Sequence, residues 1–378
     1  MKTKSNVVDL TQKLVAIPSW VDAKTNEAEI GEFCFSYLKK NKKLMVEKQI
    51  VDGNRFNIIA RNSDVVDTLV VGHIDTVQPS LRWKRSPTKP EVARNKLYGL
   101  GSCDMKSGIA IMLDLASAAT ILPRTMFLFY IDEEYTFKGI KAFIKKYKSK
   151  INPKRVISLD GSDLSITNGC RGLIEISCTI KGQSGHAARP ENGKNAIWAT
   201  QEILQDLFGW LDTFSSSQLG KTSYNIAYIS GGQYQGKDEN EELILGKQGN
   251  VIADICNFII DIRPSSSKLS AESVLEFIQK RAEAKHVSVE SYSITHDLGS
   301  WQTEKDAIES SLTTLPFKKP DETGYIDVQM IWQAFDGVPC FTIGAGKVDM
   351  AHKPDEYVEI DKLIKLREML NKMIIYEC

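Results

Sequence analysis

The sequence predicts an α/β chain of two domains. The larger is expected to be an α/β/α layer structure on a mostly parallel sheet, with a smaller α+β domain of βαββαβ order inserted into it. Three observations carry this. Short apolar segments alternate with helix-like ones over residues 56–160 and again after 326, the rhythm of a sheet with helices on both faces. From Gly172 the order becomes strand 173–181, helix 194–212, strands 223–230 and 252–262, helix 269–285 and strand 287–296, which is the split βαβ pattern. Finally, 378 residues are many for one hydrophobic core. The large domain is therefore expected to be discontinuous, 1–171 plus 297–378, around an insert at 172–296.

Residues 6–22 read as an amphipathic helix ending at the Pro18-Ser19 turn, and Glu27 to Lys40 repeats Ile30, Phe33, Phe35 and Leu38 at helical spacing. Apolar strands follow at 56–60 and 68–72. A glycine-punctuated loop, Leu97 to Gly108, enters a helix at Ile109 to Ala119. Met126 to Ile131 is an apolar strand that ends in Asp132-Glu133-Glu134, and Val156 to Leu159 is another that ends in Asp160. After the insert come helix 326–335, strand 339–343 and helix 360–375.

Hydrophobic residues at 42% and charged residues at 25% are ordinary for a globular chain. Lys+Arg and Asp+Glu are equal at 48, so nothing in the balance points to nucleic acid. The basic runs Lys39 to Lys43 and Lys145 to Arg155 read as solvated helix faces and a turn. No segment reaches the roughly 20 apolar residues that span a bilayer. The polar start, Met1 to Asn6, gives no reason to expect a signal peptide. Seven scattered cysteines without a C-x-x-C pair suggest neither a disulfide framework nor a thiolate metal site. A cytoplasmic setting is expected.

The chemistry centres on Val70-Val71-Gly72-His73-Ile74-Asp75-Thr76. In extended backbone His73 and Asp75 point to the same side. A carboxylate behind a histidine fixes its tautomer for metal binding, although a buried histidine satisfied by a neighbouring acid would look the same. Asp104 near a helix start would alone be an N-cap, Glu133-Glu134 alone a solvated loop, Asp160-Gly161 alone a turn, and His352 alone a surface histidine. All of them follow apolar strands or sit in glycine-bounded loops, and in α/β sheets ligands bind at the carboxyl ends of strands. Two histidines with several carboxylates suit Zn²⁺, Mn²⁺ or Co²⁺ better than Ca²⁺ or Mg²⁺. The set is too large for one catalytic ion and fits a pair sharing a carboxylate, with one of the two adjacent glutamates left as a general base. Gly99-Leu100-Gly101 is no dinucleotide fingerprint, because Asp104 stands at the third glycine position. Ser184 in Gly182-Gln183-Ser184-Gly185-His186 lacks the nucleophile-elbow spacing.

Five ordered blocks resemble one family. They are His73-Ile74-Asp75, Gly101-Ser102-Cys103-Asp104-Met105-Lys106, Asp132-Glu133-Glu134, Gly185-His186-Ala187-Ala188-Arg189-Pro190 and Ala351-His352-Lys353-Pro354-Asp355-Glu356. Together they look like the M20 metallopeptidases, which include acetylornithine deacetylase, succinyl-diaminopimelate desuccinylase, aminoacylases and carboxypeptidases. The resemblance implies a zinc-dependent exopeptidase-type catalytic domain with a ferredoxin-like dimerisation and lid insert. It implies two zinc ions per subunit, replaceable by cobalt or manganese, bridged by Asp104, whose following peptide bond is often cis in the family. His73 and Asp160 would complete one ion, Glu134 and His352 the other. Glu133 resembles the general base and Asp75 the partner of His73. His186 resembles the insert histidine that reaches the neighbouring subunit's site, which implies a homodimer. Asn250 and Arg263 resemble residues that hold the substrate carboxylate, and Gly324 begins the loop near the acyl pocket.

Three positions depart from the pattern. Asp160 stands where the deacylases often have glutamate. Cys170-Arg171 stands where desuccinylases carry two arginines, and Tyr325-Ile326 is bulkier than the family's loop. The expected substrate is a small N-acyl amino acid, as in acetylornithine deacetylation and arginine biosynthesis. A dipeptidase, a carboxypeptidase or a desuccinylase on the same scaffold is the alternative, and a catalytically silent metal-binding protein is a further one. Neither nucleic acid nor membrane is expected as a partner.

Overall fold

The computed structural model describes residues 6–118, 124–308, 315–319 and 328–376. Their strands, leaving out the shortest, are β1 Met45–Asp52, β2 Arg55–Arg61, β3 Thr68–His73, β4 Thr125–Tyr130, β5 Arg155–Ser158, β6 Leu173–Lys181, β7 Ser223–Lys237, β8 Leu243–Gly246, β9 Ile255–Arg263, β10 Ser288–Leu298 and β11 Cys340–Thr342. The helices are α1 Asn6–Val15, α2 Ala28–Leu38, α3 Lys106–Ser117, α4 Lys138–Tyr147, α5 Ala196–Leu211, α6 Ala271–Ala284, α7 Val328–Ala334 and α8 Ile360–Tyr376. They fall into two compact units, one within Met1–Asn168, Gln302–Lys318 and Ile326–Cys378, the other within Gly169–Trp301 and Lys319–Tyr325. Among the described residues no helix is long and apolar enough to cross a membrane.

In the first unit the sheet order is β1-β2-β4-β3-β5-β11. β3 pairs in parallel with β4 and with β5, and β11 in parallel with β5, while β1 and β2 are antiparallel. Every residue of β3 and β4 is buried, as a central strand covered on both faces requires. Alternate side chains divide between the faces. Phe127 and Phe129 join the core of α1, α2, α3 and α8, whereas Met126, Leu128 and Tyr130 are buried outside it. The apolar faces of α4 (Ile140, Phe143) and α7 (Val328, Ile331) supply the second layer.

In the second unit the order is β8-β7-β9-β6-β10, all antiparallel. Ile174, Ile176, Cys178 and Ile180 alternate inward from β6 onto α5 and α6, as do Phe258, Ile260 and Ile262 from β9. Period-2 burial on one face is what a half-covered sheet shows. Asn195 caps α5 and Ser270 forms a capping box at α6. The expected βαββαβ order is observed with one addition, the short edge strand β8 between β7 and β9.

Some boundaries moved. α1 stops at Val15, so the chain has left the helix by Ala16, ahead of the Pro18-Ser19 turn. β1 was not anticipated. It is an edge strand whose Glu47, Lys48 and Gln49 face partly to solvent, so its sequence carries no apolar run. The helix inside the second basic run is α4, ending in Lys145-Lys146. All six described cysteines are free and buried.

Gly72 marks a close approach of α3 to β3. A Cβ there would lie 2.6 Å from the Met105 methyl and 2.9 Å from Met112 Sδ. Gly72→Val is expected to cost about 1–3 kcal/mol by overpacking. Gly209, inside α5 with nothing near its missing Cβ, is the contrast: Gly209→Ala should add about 0.5–1 kcal/mol. Urea unfolding of both variants reads the difference in sign.

Candidate active site

The parallel register places His73 opposite Tyr130 at the carboxyl ends of β3 and β4. Ile74 N–H donates to Tyr130 O at 2.8 Å, and Leu159 N–H to Val71 O at 3.1 Å. The loops after β3, β4 and β5 therefore leave the sheet side by side, bringing His73, Glu133, Glu134 and Asp160 together. Asp104 and His352 come from elsewhere. Asp104 lies on the loop that enters α3, where Gly101 takes φ +78 and a Cβ would meet Thr76 Cγ2 at 2.8 Å. His352 lies on the loop before α8, itself at φ +60.

Asp104 stands between the two histidines. Its Oδ1 is 3.1 Å from His73 Nε2 and its Oδ2 is 3.4 Å from His352 Nε2. Glu134 Oε1 is 2.9 Å from the same His352 nitrogen. The peptide bond Asp104–Met105 is cis. Three groups of potential ligand atoms each lie within 4.8 Å of one another: His73, Asp104 and Asp160; Asp104, Glu134 and His352; His73, Glu133 and Glu134. Asp104 belongs to the first two.

Asp75 sits behind His73. The ring Nδ1 lies 3.2 Å from Asp75 O and 3.5 Å from its Oδ1, an oxygen otherwise buried without a partner. Asp75 Oδ2 accepts from Glu134 N–H at 2.9 Å. An Nδ1–H facing this carboxylate leaves Nε2 free as a ligand. Burial drives the His73 imidazole toward neutrality, but Asp104 and Asp75 outweigh it and raise its pKa well above the ordinary value. Asp104 and Glu134 pull His352 up to about 10. Burial raises Asp104, yet hydrogen bonds to His352 and His73 hold it below the usual carboxylate range. Carboxylates packed around two imidazoles leave excess negative charge in a half-closed space, a donor set that fits divalent cations.

Two supports were not anticipated. The first is a buried ion network behind the glutamates. Arg55 donates through Nε and Nη2 to both oxygens of Glu27, at 2.7 and 2.6 Å, and through Nη2 to Asp132 Oδ1. Asp132, at φ +71, accepts on Oδ2 from Thr136 and Lys138 N–H and folds the turn that carries Glu133 and Glu134. Burial raises the pKa of Glu27 against the Arg55 bond, while Thr136 and Arg55 lower that of Asp132 in spite of burial. The second is Glu356, inside the quoted Ala351 to Glu356 block, whose carboxylate binds the Asp104 loop. The sequence signal for both was an acid near a candidate site residue, legible only once its burial is known.

Across residues 69–376 the chain matches the profile described as Peptidase family M20/M25/M40. The chain belongs to the M20 peptidase family. It is thereby a hydrolase of a metal-dependent family. It is 28% identical over 359 residues to an acetylornithine deacetylase of Pectobacterium carotovorum, covering 88% of this chain and 87% of that one. It is 26% identical over 396 residues to the acetylornithine deacetylase of Erwinia tasmaniensis, covering 100% of each. Its fold is shared with an M20 metallo-carboxypeptidase of Sulfolobus solfataricus, with TM-score 0.74, 14% identity and 99% of each chain covered. It is shared also with a dinuclear metal binding M20 peptidase of Bacillus subtilis, with TM-score 0.66, 14% identity and 98% and 97% covered.

The remaining expected residues of this M20 chain lie in the second unit. His186 is exposed, and its Nδ1 accepts from Ala188 N–H at 3.1 Å. Asn250 O accepts from Ala187 N–H at 2.9 Å, so the two segments adjoin. Arg263 turns its Nε and Nη2 toward the carboxylate of Asp261, at 2.8 and 3.0 Å. Gly324 lies outside the described residues, as do Tyr325 and Ile326.

Removing the shared cation leaves two buried carboxylates uncompensated. Arg55→Ala should cost about 3–5 kcal/mol at neutral pH. Without Arg55, Glu27 and Asp132 take folded pKa values above their unfolded ones. That penalty is absent below the unfolded values, grows as pH rises from the unfolded to the folded values, and is constant above them. Urea unfolding from pH 7 to pH 4 should therefore show the deficit shrinking; a deficit constant across that range refutes the electrostatic account.

Proposed function

We propose that this M20 hydrolase is a dinuclear-zinc amidohydrolase that removes the acyl group from an N-acyl amino acid, in the manner of acetylornithine deacetylase. The observation that carries the metal reading is Asp104, whose two oxygens face His73 and His352 separately. His73, Asp104 and Asp160 would hold one cation and Asp104, Glu134 and His352 the other. Such a pair, when bound, lowers the pKa of water and polarises the scissile carbonyl. Mixed imidazole and carboxylate donors without thiolate suit zinc, with cobalt and manganese as substitutes.

Glu133 is the residue left over from the two ligand sets, with an oxygen in reach of those of His73 and Glu134. It takes a proton from the attacking water and gives it to the departing amine. Asp75 fixes the His73 ring. In His186 the Ala188 N–H occupies Nδ1, so the neutral ring carries its proton on Nε2 as a donor, the form that steadies an oxyanion. Arg263 and Asn250 would hold the substrate's carboxylate, with Asp261 orienting the guanidinium.

The acetyl-amino-acid reading is supported by curated relatives that match along the chain's length. Desuccinylase activity is disfavoured. Cys170 is buried with its sulfur accepting from Trp301 Nε1 at 3.0 Å, where it cannot meet a succinyl carboxylate. A homodimer through the insert is supported by the outer edge of β7. Among the described residues no strand pairs with that edge over 223–232, and Tyr228 and Ile229 there are each 50% exposed. An unpaired apolar edge favours strand addition by a second copy.

Zinc- or cobalt-loaded protein should hydrolyse N-acetylornithine and leave dipeptides intact; the opposite preference selects the peptidase alternative. Glu133→Gln should lower kcat by about 10²–10⁴ with metal content unchanged, and a variant that turns over at the wild-type rate removes Glu133 from the base role. Sedimentation should give a dimer for the wild type and a monomer for Ile229→Asp.

A further inference from the structure

The Asp104 loop and the His352 loop are more than 200 residues apart in sequence, yet they leave neighbouring strands of one small sheet. Lys96–Tyr98 pairs with Tyr357–Glu359 through Tyr98↔Tyr357, Leu97↔Val358 and Lys96↔Glu359. Glu356 is the last residue before this pairing, and it is 1% exposed. Its Oε1 accepts from Cys103 N–H at 2.7 Å and Asp104 N–H at 3.0 Å, and its Oε2 from Gly101 N–H at 2.9 Å. Its carbonyl accepts from Gly99 N–H at 3.0 Å. The next residue back, Asp355, accepts on Oδ1 from Lys84 and Arg85 N–H, at 3.1 and 2.8 Å.

Resting on the dinuclear reading, we propose that Glu356 is the positioning residue for the shared metal ligand: its carboxylate clamps the Gly101–Asp104 backbone to the segment that carries His352. Three converging amides form a concavity for an anion. Only a carboxylate answers all three, because an amide side chain would turn its own N–H groups toward them. The residue before α3 is Met105, without a side-chain cap, and Lys106 N–H donates to Gly101 O at 2.7 Å. The Asp104 carboxylate is left to face the two histidines.

The test uses the full chain stripped of metal and titrated with Zn²⁺ by calorimetry and with Co²⁺ by visible absorption. Wild type should take up two ions. Glu356→Gln should still unfold cooperatively but bind the second ion about 10–100-fold more weakly, with an altered cobalt spectrum. In the metal-free variant, amide exchange across residues 100–105 should quicken by about tenfold or more. Glu356→Asp, charged but one carbon shorter, should fall between the two and decides the matter if the glutamine variant does not fold. Two ions bound with wild-type affinity and unchanged exchange in these variants overturn the clamp and leave the dinuclear reading standing. A wild-type chain that binds fewer than two ions overturns that reading and the clamp with it.

Discussion

The pairing of β3 in parallel with a strand on each side is the constraint on which the rest of the first unit depends. It sets His73 level with Tyr130 and carries β5 up beside Val71, so three chain segments leave the sheet at one edge. Charged groups gathered there would repel one another in an ordinary loop cluster. They are tolerable because each has a fixed answer: Asp75 behind His73, Arg55 behind Asp132, and backbone amides around Glu356. The apolar strands beneath supply rigidity and a low dielectric, which strengthens each of these interactions and raises the cost of leaving any one unmade.

Much of this was legible before any coordinates. Apolar runs ending in His73, Asp132-Glu133-Glu134 and Asp160 gave the strands and pointed to the candidate site, because a buried parallel strand has little choice of composition and its carboxyl end is where polar residues first appear. The alternation in β6 and β9 gave the insert in the same way. What stayed hidden was of two kinds. β1 carries its fold information in pairing with β2 rather than in an apolar run, and sequence periodicity is blind to that. Glu27, Arg55 and Glu356 carry no sequence pattern that marks them as buried; only the packing around them makes them buried partners. Arg55 follows a tight turn after β1, and nothing in its neighbours distinguishes it from Arg61 at the other end of the same strand, which is only partly buried.

The second unit shows a different economy. Its sheet buries one face on α5 and α6 and leaves the other partly to water, so its outward residues are free to vary in chemistry. Arg263 ends β9 of that sheet, whereas His186 and Asn250 lie on the segments after β6 and before β9, and each is held by a short-range bond to a near neighbour in sequence or in space. Roles that depend on such residues are read from family pattern far more readily than from periodicity.

The buried cysteines have a practical consequence. Cys34, Cys103 and Cys340 lie in one unit and Cys170, Cys178 and Cys256 in the other, all shielded from solvent. Burial also holds the thiols of Cys34 and Cys178 up to about 12, far from the reactive thiolate. At these six described cysteines an alkylating reagent therefore meets sulfur only when a unit opens. Peptide-resolved labelling over time becomes a clock for the breathing of each unit separately, with no engineered probe required.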